Sequence, residues 1–236
     1  MKGANQKFSD LKNSMNHSPA FIYLSYFMDA NTPLYGGGMG VFVKPDRSIA
    51  NGDTANTKQI TLNNHSGTHI DYPNHFFVEG LTSEYYTAEQ WIFHNPYLLL
   101  VNTIESDIIL LTDEQLNSIP NNTDFLIIKT GFGQYRSQEK YWKYNPGLSP
   151  KMYDDLKRHV PELKIVGMDF ISITAFQNRE LGREAHREFL GGNSPILLVE
   201  DMNLSELSSS PKLLICSPMM IAGLDGSPVT IIAKVE

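Results

Sequence analysis

A single cysteine, Cys216, stands among 236 residues. No intrachain disulfide framework can form, and such usage fits a reducing compartment, the cytoplasm. Flanked by Leu214-Ile215 and Ser217-Pro218, with no histidine nearby in sequence, Cys216 reads as a small core hydrophobe rather than a nucleophile. Basic charge is also scarce: 19 Lys and Arg face 26 Asp and Glu, a net charge of −7. Nucleic acids and anionic membranes both require a concentrated basic surface, so neither is an expected partner. The densest basic stretch, Arg179 to Arg187, is interleaved with Glu180 and Glu184, and Glu188 follows it. It reads as a solvated helix face on which Glu184 and Glu188 pair with Arg183 and Arg187. Long apolar runs are missing. Stretches such as Tyr97 to Val101 fall far short of the roughly 20 residues that span a bilayer. Met1 to His17 is polar without a continuous apolar segment, so no signal peptide is expected there. Neither a G-x-S-x-G elbow nor an H-E-x-x-H helix occurs, which removes the local signatures of Ser-triad and zincin chemistry.

What remains is an ordinary globular composition, 41% hydrophobic and 19% charged. Residues 1–18 read as a polar arm and residues 19–236 as one domain. Phe21 to Tyr26 predicts a short strand. Tyr35-Gly36-Gly37-Gly38 predicts a loop lining a site, since the GK[ST] ending of a phosphate loop is lacking. Gln59 to Asn64 alternates, with Ile60 and Leu62 on one face, and predicts a strand running into a His-rich segment. Apolar β-type runs follow at 97–101, 125–129, 165–168, 196–199, 213–215 and 229–233, with helical patterns at 112–118, 149–159 and 179–190. Alternating strands and helices predict a single α/β domain with a largely buried mixed sheet.

The chemistry concentrates in His65-Ser66-Gly67-Thr68-His69-Ile70-Asp71-Tyr72-Pro73-Asn74-His75. His65, His69, Asp71 and His75 share one parity, so in an extended chain all four start on one face. Residues two apart on a strand are separated by about 6.6 Å, which lets His69 and Asp71 share one ion. His65 and His69 would stand about 13 Å apart if fully extended, so the chain must curve, and Gly67 and Pro73 permit the bend. Imidazoles and a carboxylate without thiolate accept Zn²⁺ or Mn²⁺. Two imidazoles and one carboxylate leave coordination positions open, the mark of a catalytic site, where an ion lowers the pKa of water to about 7. On these grounds His75 is either a third ligand or a general acid/base.

The segment resembles that of the cyclase-like metal hydrolases, a family that includes bacterial kynurenine formamidase and isatin hydrolase. Its hallmark is H-x-G-T-H-x-D-x-P-x-H, and His65 to His75 satisfies every fixed position. Tyr23-Leu24-Ser25, Ile128-Lys129-Thr130-Gly131-Phe132, Val166-Gly167-Met168-Asp169 and Gly223-Leu224-Asp225-Gly226-Ser227-Pro228-Val229 are similar to further stretches of the family. The resemblance implies an α/β fold with a mixed, barrel-like sheet flanked by helices (the swivelling β/α/β type), assembled as a homodimer or homotetramer. It implies that His65, His69 and Asp71 ligate a first metal, that Asp71 bridges to a second held by His186 and Glu200, and that His75 is the catalytic acid/base. One or two ions per subunit follow. The implied reaction is hydrolysis of a small amide, lactam or lactone. A metal-dependent cyclase or dehydratase, and a non-catalytic binding protein, are the alternatives. Tyr35 and Phe76, with Phe21, Tyr26, Tyr72 and Phe77, are candidates for an aromatic substrate pocket. Phe170-Ile171-Ser172-Ile173 departs from the small polar residues usual after G-x-D, which predicts a different pocket wall, and Thr230 stands where many relatives carry a basic residue.

Overall fold

The structure, a computed structural model, describes residues 20–38 and 40–236. The polar arm expected at 1–18 lies outside them. Continuous apolar runs form the heart of the molecule: β8 (Phe125–Lys129), β10 (Ile165–Met168) and β11 (Leu197–Glu200) are buried along nearly their whole length. Strands that read this way are covered on both faces and pair in parallel. Accordingly β6 (Pro96–Leu100), β8, β10 and β11 form a parallel run. The other half of the sheet is antiparallel, passing from β11 through β4 (His69–Asp71) and β13 (Gly226–Lys234) to β12 (Leu213–Pro218) and β5 (Ile92–Phe93). The terminal half of β13 also receives β1 (Phe21–Tyr23), shorter than the strand expected to Tyr26.

The two ends of this path, β5 and β6, are consecutive in the chain, joined by His94-Asn95. The buried Asp124 carboxylate accepts from both backbone N–H groups of that corner, at 2.8 Å from His94 and 3.1 Å from Asn95. The mixed sheet therefore curls into a nearly closed, barrel-like form, as the resemblance implies. Phe93 and Phe125 meet edge to face inside it, centroids 5.1 Å apart.

The helices lie where apolar spacing places them. Helix α1 (Asp113–Ser118) opens with a capping box between Thr112 and Gln115. A single turn, α2 (Lys140–Lys143), has no counterpart in the sequence reading, nor does the short parallel pair of β7 (Ile108–Ile109) and β9 (Gly147–Leu148), which stands apart from the main sheet. Helices α3 (Met152–His159) and α4 (Arg179–Leu190) follow, and α4 buries Ala185, His186, Phe189 and Leu190 along one stripe. No helix of the described residues is long and apolar enough to cross a membrane.

One expectation fails. β3 (Thr57–Leu62) does not run on into the His-rich segment; it pairs with β2 (Val41–Arg47) as a separate hairpin. Ile60 is 63% exposed and Phe42 53% exposed. Alternation assigns residues to faces, but it does not say which face acquires a cover.

Candidate metal centre

β4 is only three residues long, yet it lies between β11 and β13, which fix its register from both sides. Glu200 pairs with His69 and Leu198 with Asp71 across one ladder; Pro228 pairs with His69 and Gly226 with Asp71 across the other. His69 and Asp71, two apart, point to the same face, and Glu200 opposite His69 shares it. Helix α4 closes over that face with His186, which is 4% exposed. The bend into β4 is made at Gly67, where φ is +63° and a Cβ would press on Met28. Pro73 then turns the chain into a 3-10 helix over Pro73–His75.

Four donor groups converge here. His69 Nε2 lies 3.5 Å from both Asp71 Oδ1 and Glu200 Oε2, and His186 Nε2 lies 3.6 Å from Asp71 Oδ2 and 3.7 Å from Glu200 Oε1. These spacings are long for hydrogen bonds between charged partners. They are close to the about 3.3–3.6 Å between neighbouring ligand atoms of an ion held at 2.0–2.2 Å; His69, Asp71 and Glu200 form one three-donor group, and His186 faces the other oxygens of the two carboxylates. The other ring nitrogen of each imidazole is engaged: His69 Nδ1 donates to the Gly67 carbonyl at 2.9 Å, and His186 Nδ1 to the Gly182 carbonyl at 2.9 Å. Nε2 of both is thereby the nitrogen turned towards the carboxylates, the arrangement that outer hydrogen bonds impose on metal-ligating histidines. Glu200 Oε1 is held by the backbone N–H of Ile173 at 2.8 Å. The donor set suits a divalent ion.

His65 and His75 stand on the outer side of Asp71. His65 Nδ1 donates to Asp71 Oδ1 at 2.8 Å and its Nε2 to Asp225 Oδ2 at 3.0 Å; His75 Nδ1 donates to the same Asp225 oxygen at 2.9 Å. The donor atoms of His65, Asp71 and His75 all lie within 4.8 Å of one another, as do those of His69, Asp71 and Glu200. Asp71 is thus shared between two clusters. His65, however, groups with His75 rather than with His69, a partition different from the one the resemblance implies.

Electrostatics follow from burial and pairing. Burial opposes charge on His65, but its hydrogen bonds to Asp225 and Asp71 outweigh that and push its pKa up to about 10. Burial likewise opposes charge on His186, and Asp71 and Glu200 raise it to about 9. Burial works against ionising Asp71, yet His186 and His65 hold its carboxyl well below the usual carboxylate range. The His65 hydrogen bond does the same for Asp225.

His65, His69, Asp71, His75, His186 and Glu200 line a cavity of about 370 Å³. The structure sorts the candidate aromatics: Tyr35 and Phe76 line the cavity, and Phe76 stacks on His186 with centroids 4.6 Å apart. Tyr72 is fully buried beneath Tyr86, and Tyr26 lies under the Arg136 guanidinium, 4.0 Å away. Ile171 and Ser172 form part of the wall. The T-G stretch and the G-x-D stretch prove to be one structural device, since the Asp169 carboxylate accepts from Thr130 N, Thr130 Oγ1 and Gly131 N at 2.6–2.9 Å.

The family model described as "Putative cyclase" matches residues 22–175. The chain belongs to that family. Among its relatives, "Cyclase-like protein 2" of Oryza sativa subsp. japonica is 26% identical over 216 residues, covering 87% of this chain and 76% of the relative. A kynurenine formamidase of Geobacillus thermodenitrificans is also 26% identical over 216 residues, covering 89% and 94%. Isatin hydrolase A from Labrenzia aggregata superposes with a TM-score of 0.77 at 19% identity, covering 98% of this chain and 99% of that one, and shares the fold.

Two parts of this family site escape sequence reasoning. Asp225, facing both His65 and His75, lies 160 and 150 residues beyond them in the chain, in a stretch similar to the family's in which the sequence reading assigns its acid no role. Arg136 makes a two-pronged pair with the buried Asp201, Nε to Oδ1 at 2.8 Å and Nη2 to Oδ2 at 2.8 Å. Asp201 sits at φ 54°, and its carbonyl accepts from Thr68 Oγ1 between Gly67 and His69. That latch ties the end of β11 to the entry of β4. A third expectation is corrected. Among the described residues no carboxylate lies within 4.0 Å of Arg179, Arg183 or Arg187, so the charge alternation on α4 does not produce ion pairs. Arg179 and Arg183 instead line the cavity.

Proposed function

We propose that this protein is a metal-dependent hydrolase of a small amide, lactam or lactone. The observation that carries the reading is the ring of four donors, two imidazole nitrogens and two carboxylates 3.5–3.7 Å apart, facing a cavity beside a hydrogen-bonded Asp225–His75 pair. His69, Asp71, Glu200 and His186, with His65 beside Asp71, are the groups that would hold one or two ions, Zn²⁺ or Mn²⁺. A bound ion would polarise the scissile carbonyl and make water acidic enough to attack near neutral pH.

The chain's own residues supply the proton path. His75 gives its Nδ1–H to Asp225, which leaves Nε2 as the nitrogen that faces the cavity chemistry. In the hydrolysis, water adds its oxygen to the acyl carbon and the C–N or C–O bond breaks. His75 Nε2 takes the proton released by water and returns it to the departing nitrogen or oxygen. Asp225 positions the ring and stabilises its charged form. Tyr35 and Phe76 offer apolar and aromatic surface for the substrate. The family's kynurenine formamidase and isatin hydrolase names make N-formylkynurenine and isatin the first substrates to try.

The test is turnover of N-formylkynurenine, isatin and simple lactones by metal-stripped and Zn²⁺- or Mn²⁺-loaded protein. Metal-dependent turnover that disappears in His69→Ala is expected. Full activity in stripped protein, or in His69→Ala, would refute the metal assignment, and full activity in His75→Ala would remove the proton-transfer role alone.

A further inference from the structure

Three acids line the cavity, Asp71, Glu200 and Asp201, and each is engaged. Asp71 and Glu200 face the imidazoles, and Asp201 is gripped by Arg136. The two arginines that line it, Arg179 and Arg183, have no carboxylate partner among the described residues. They stand one turn apart on α4, where unrelieved like charges at i and i+4 repel. Arg179 is stacked over the Phe176 ring, guanidinium carbon 3.9 Å from its centroid, and Phe176 in turn packs edge-on against Tyr35, centroids 5.6 Å apart. The Tyr35 hydroxyl is shielded from solvent and faces Arg179. Burial raises its pKa, with the charge of Arg179 acting against that rise. Arg179 and Arg183, exposed on α4 and without a carboxylate partner among the described residues, thus line the same cavity as the donor ring.

We propose that the substrate bears an anionic group, a carboxylate, which Arg179 and Arg183 hold while the scissile carbonyl faces His69, Asp71, Glu200 and His186; this names the substrate class of the hydrolase reading above and rests on it. Helix geometry sets the spacing. Arg183 and His186 are three residues apart and Arg179 and His186 seven, so the guanidinium roots lie about 4.5 and 10.5 Å along the axis from the imidazole. All three residues stand within about 60° of arc on one helix face. A carboxylate one aromatic ring or a short chain away from the acyl carbon spans that interval, and a cavity of about 370 Å³ accommodates such a molecule. Arginine suits the task because its planar fork meets a carboxylate with two parallel hydrogen bonds.

A matched pair of probes tests this: N-formylanthranilate, which carries a carboxylate, and formanilide, which does not. With Zn²⁺- or Mn²⁺-loaded protein, kcat/KM for the carboxylate is expected to exceed that for the neutral probe by about 10–100-fold, the strength of hydrogen bonds to a charged group. The ratio should fall toward one in the double variant Arg179→Gln/Arg183→Gln, with Arg183→Lys alone intermediate. Hydrolysis of both probes at a ratio near one, unaltered in the double variant, would overturn the carboxylate proposal and leave the hydrolase reading intact. If neither probe turns over, calorimetric binding of benzoate and benzamide to the loaded protein decides. Benzoate preferred, with the preference lost in the double variant, upholds the arginine site independently of the hydrolase reading, which the turnover of isatin and lactones decides. Equal binding, no binding, or a preference for benzoate that survives the double variant overturns the arginine site.

Discussion

Replacing Gly226 by alanine adds one methyl group at the point where β13 crosses Asp71, and the structure says where that methyl goes. A Cβ at this position would lie 2.8 Å from His65 Nδ1 and 2.9 Å from Nε2, and closer still to Cε1 between them. Gly226 does not have a positive φ, so the backbone accepts alanine and the whole effect falls on the imidazole. Ordinary contact begins at 3.4 Å, so the ring, whose Cε1 is the nearest atom, must retreat by about an ångström or more. It is held by hydrogen bonds of 2.8 Å to Asp71 and 3.0 Å to Asp225, and both lengthen when it moves. Overpacking of a tight site costs about 1–3 kcal/mol, which for a chain of this size lowers Tm by roughly 2–4 °C per kcal/mol. Misplaced partners of metal ligands typically cost 10–100-fold in metal affinity. Thermal unfolding of stripped protein reads the first quantity, and competition with a chromophoric chelator reads the second. Gly223→Ala is the control: its φ of +77° strains an alanine, but no atom lies within 4 Å of the added Cβ, so stability falls by about 1 kcal/mol while metal affinity holds. Wild-type stability and affinity in Gly226→Ala would refute the packing argument.

Further outcomes can be checked separately. In metal-free protein the folded pKa values of His186 and His65, about 9 and about 10, exceed the unfolded value near 6.5, so the native state binds more protons across that interval. Their contribution is full below about pH 6.5 and is lost as pH rises through 9 to 10, so Tm of stripped protein should fall from pH 7 to 10; a flat or rising profile would contradict it. Arg136→Met leaves the Asp201 carboxylate buried without its cation and should cost about 3–5 kcal/mol, read as a lowered urea midpoint. Asp225→Asn keeps the shape beside His75 but removes the charge that orients it. It should lower kcat about 10–100-fold with KM little altered, whereas loss in KM alone would argue for a substrate contact. Light scattering should give two or four times the 26.6 kDa chain mass, the exposed Phe42, Val43 and Ile60 of the hairpin supplying apolar area for association; a monomer would contradict this.

The sheet was legible wherever burial is two-sided. Phe125 to Lys129 and Ile165 to Met168 appear in the structure with the expected bounds because a continuous apolar run has one plausible fate. Helix α4 was legible from its apolar spacing, and its charged face is exposed as expected, but the ion pairs expected on it do not form among the described residues. Arg179 and Arg183 are exposed to solvent, as that reading expects, and the fold also brings them to the rim of the cavity. Parity correctly joined His69 to Asp71, which share a strand. It could not order His65 and His75, which lie outside β4, in a turn and in a 3-10 helix, where the two-residue period does not apply. Asp225 was invisible for another reason: its partners are brought to it by the pairing of β13 with β4, a contact of long sequence separation.

Three of the four candidate metal donors, His69, Asp71 and Glu200, sit on paired strands, whereas the cavity's far wall comes from a loop and, beyond His186, the exposed end of a helix. These two sets of positions answer to separate constraints. A duplicated copy of the gene could exchange Tyr35, Ile171, Arg179 and Arg183 in any order and still load its metal, whereas a one-residue insertion in β4 or β11 would scatter the ligands. A lineage built on this scaffold would therefore be expected to diversify its diet freely while keeping its hardware, and shared ancestry would foretell the ion far better than the meal.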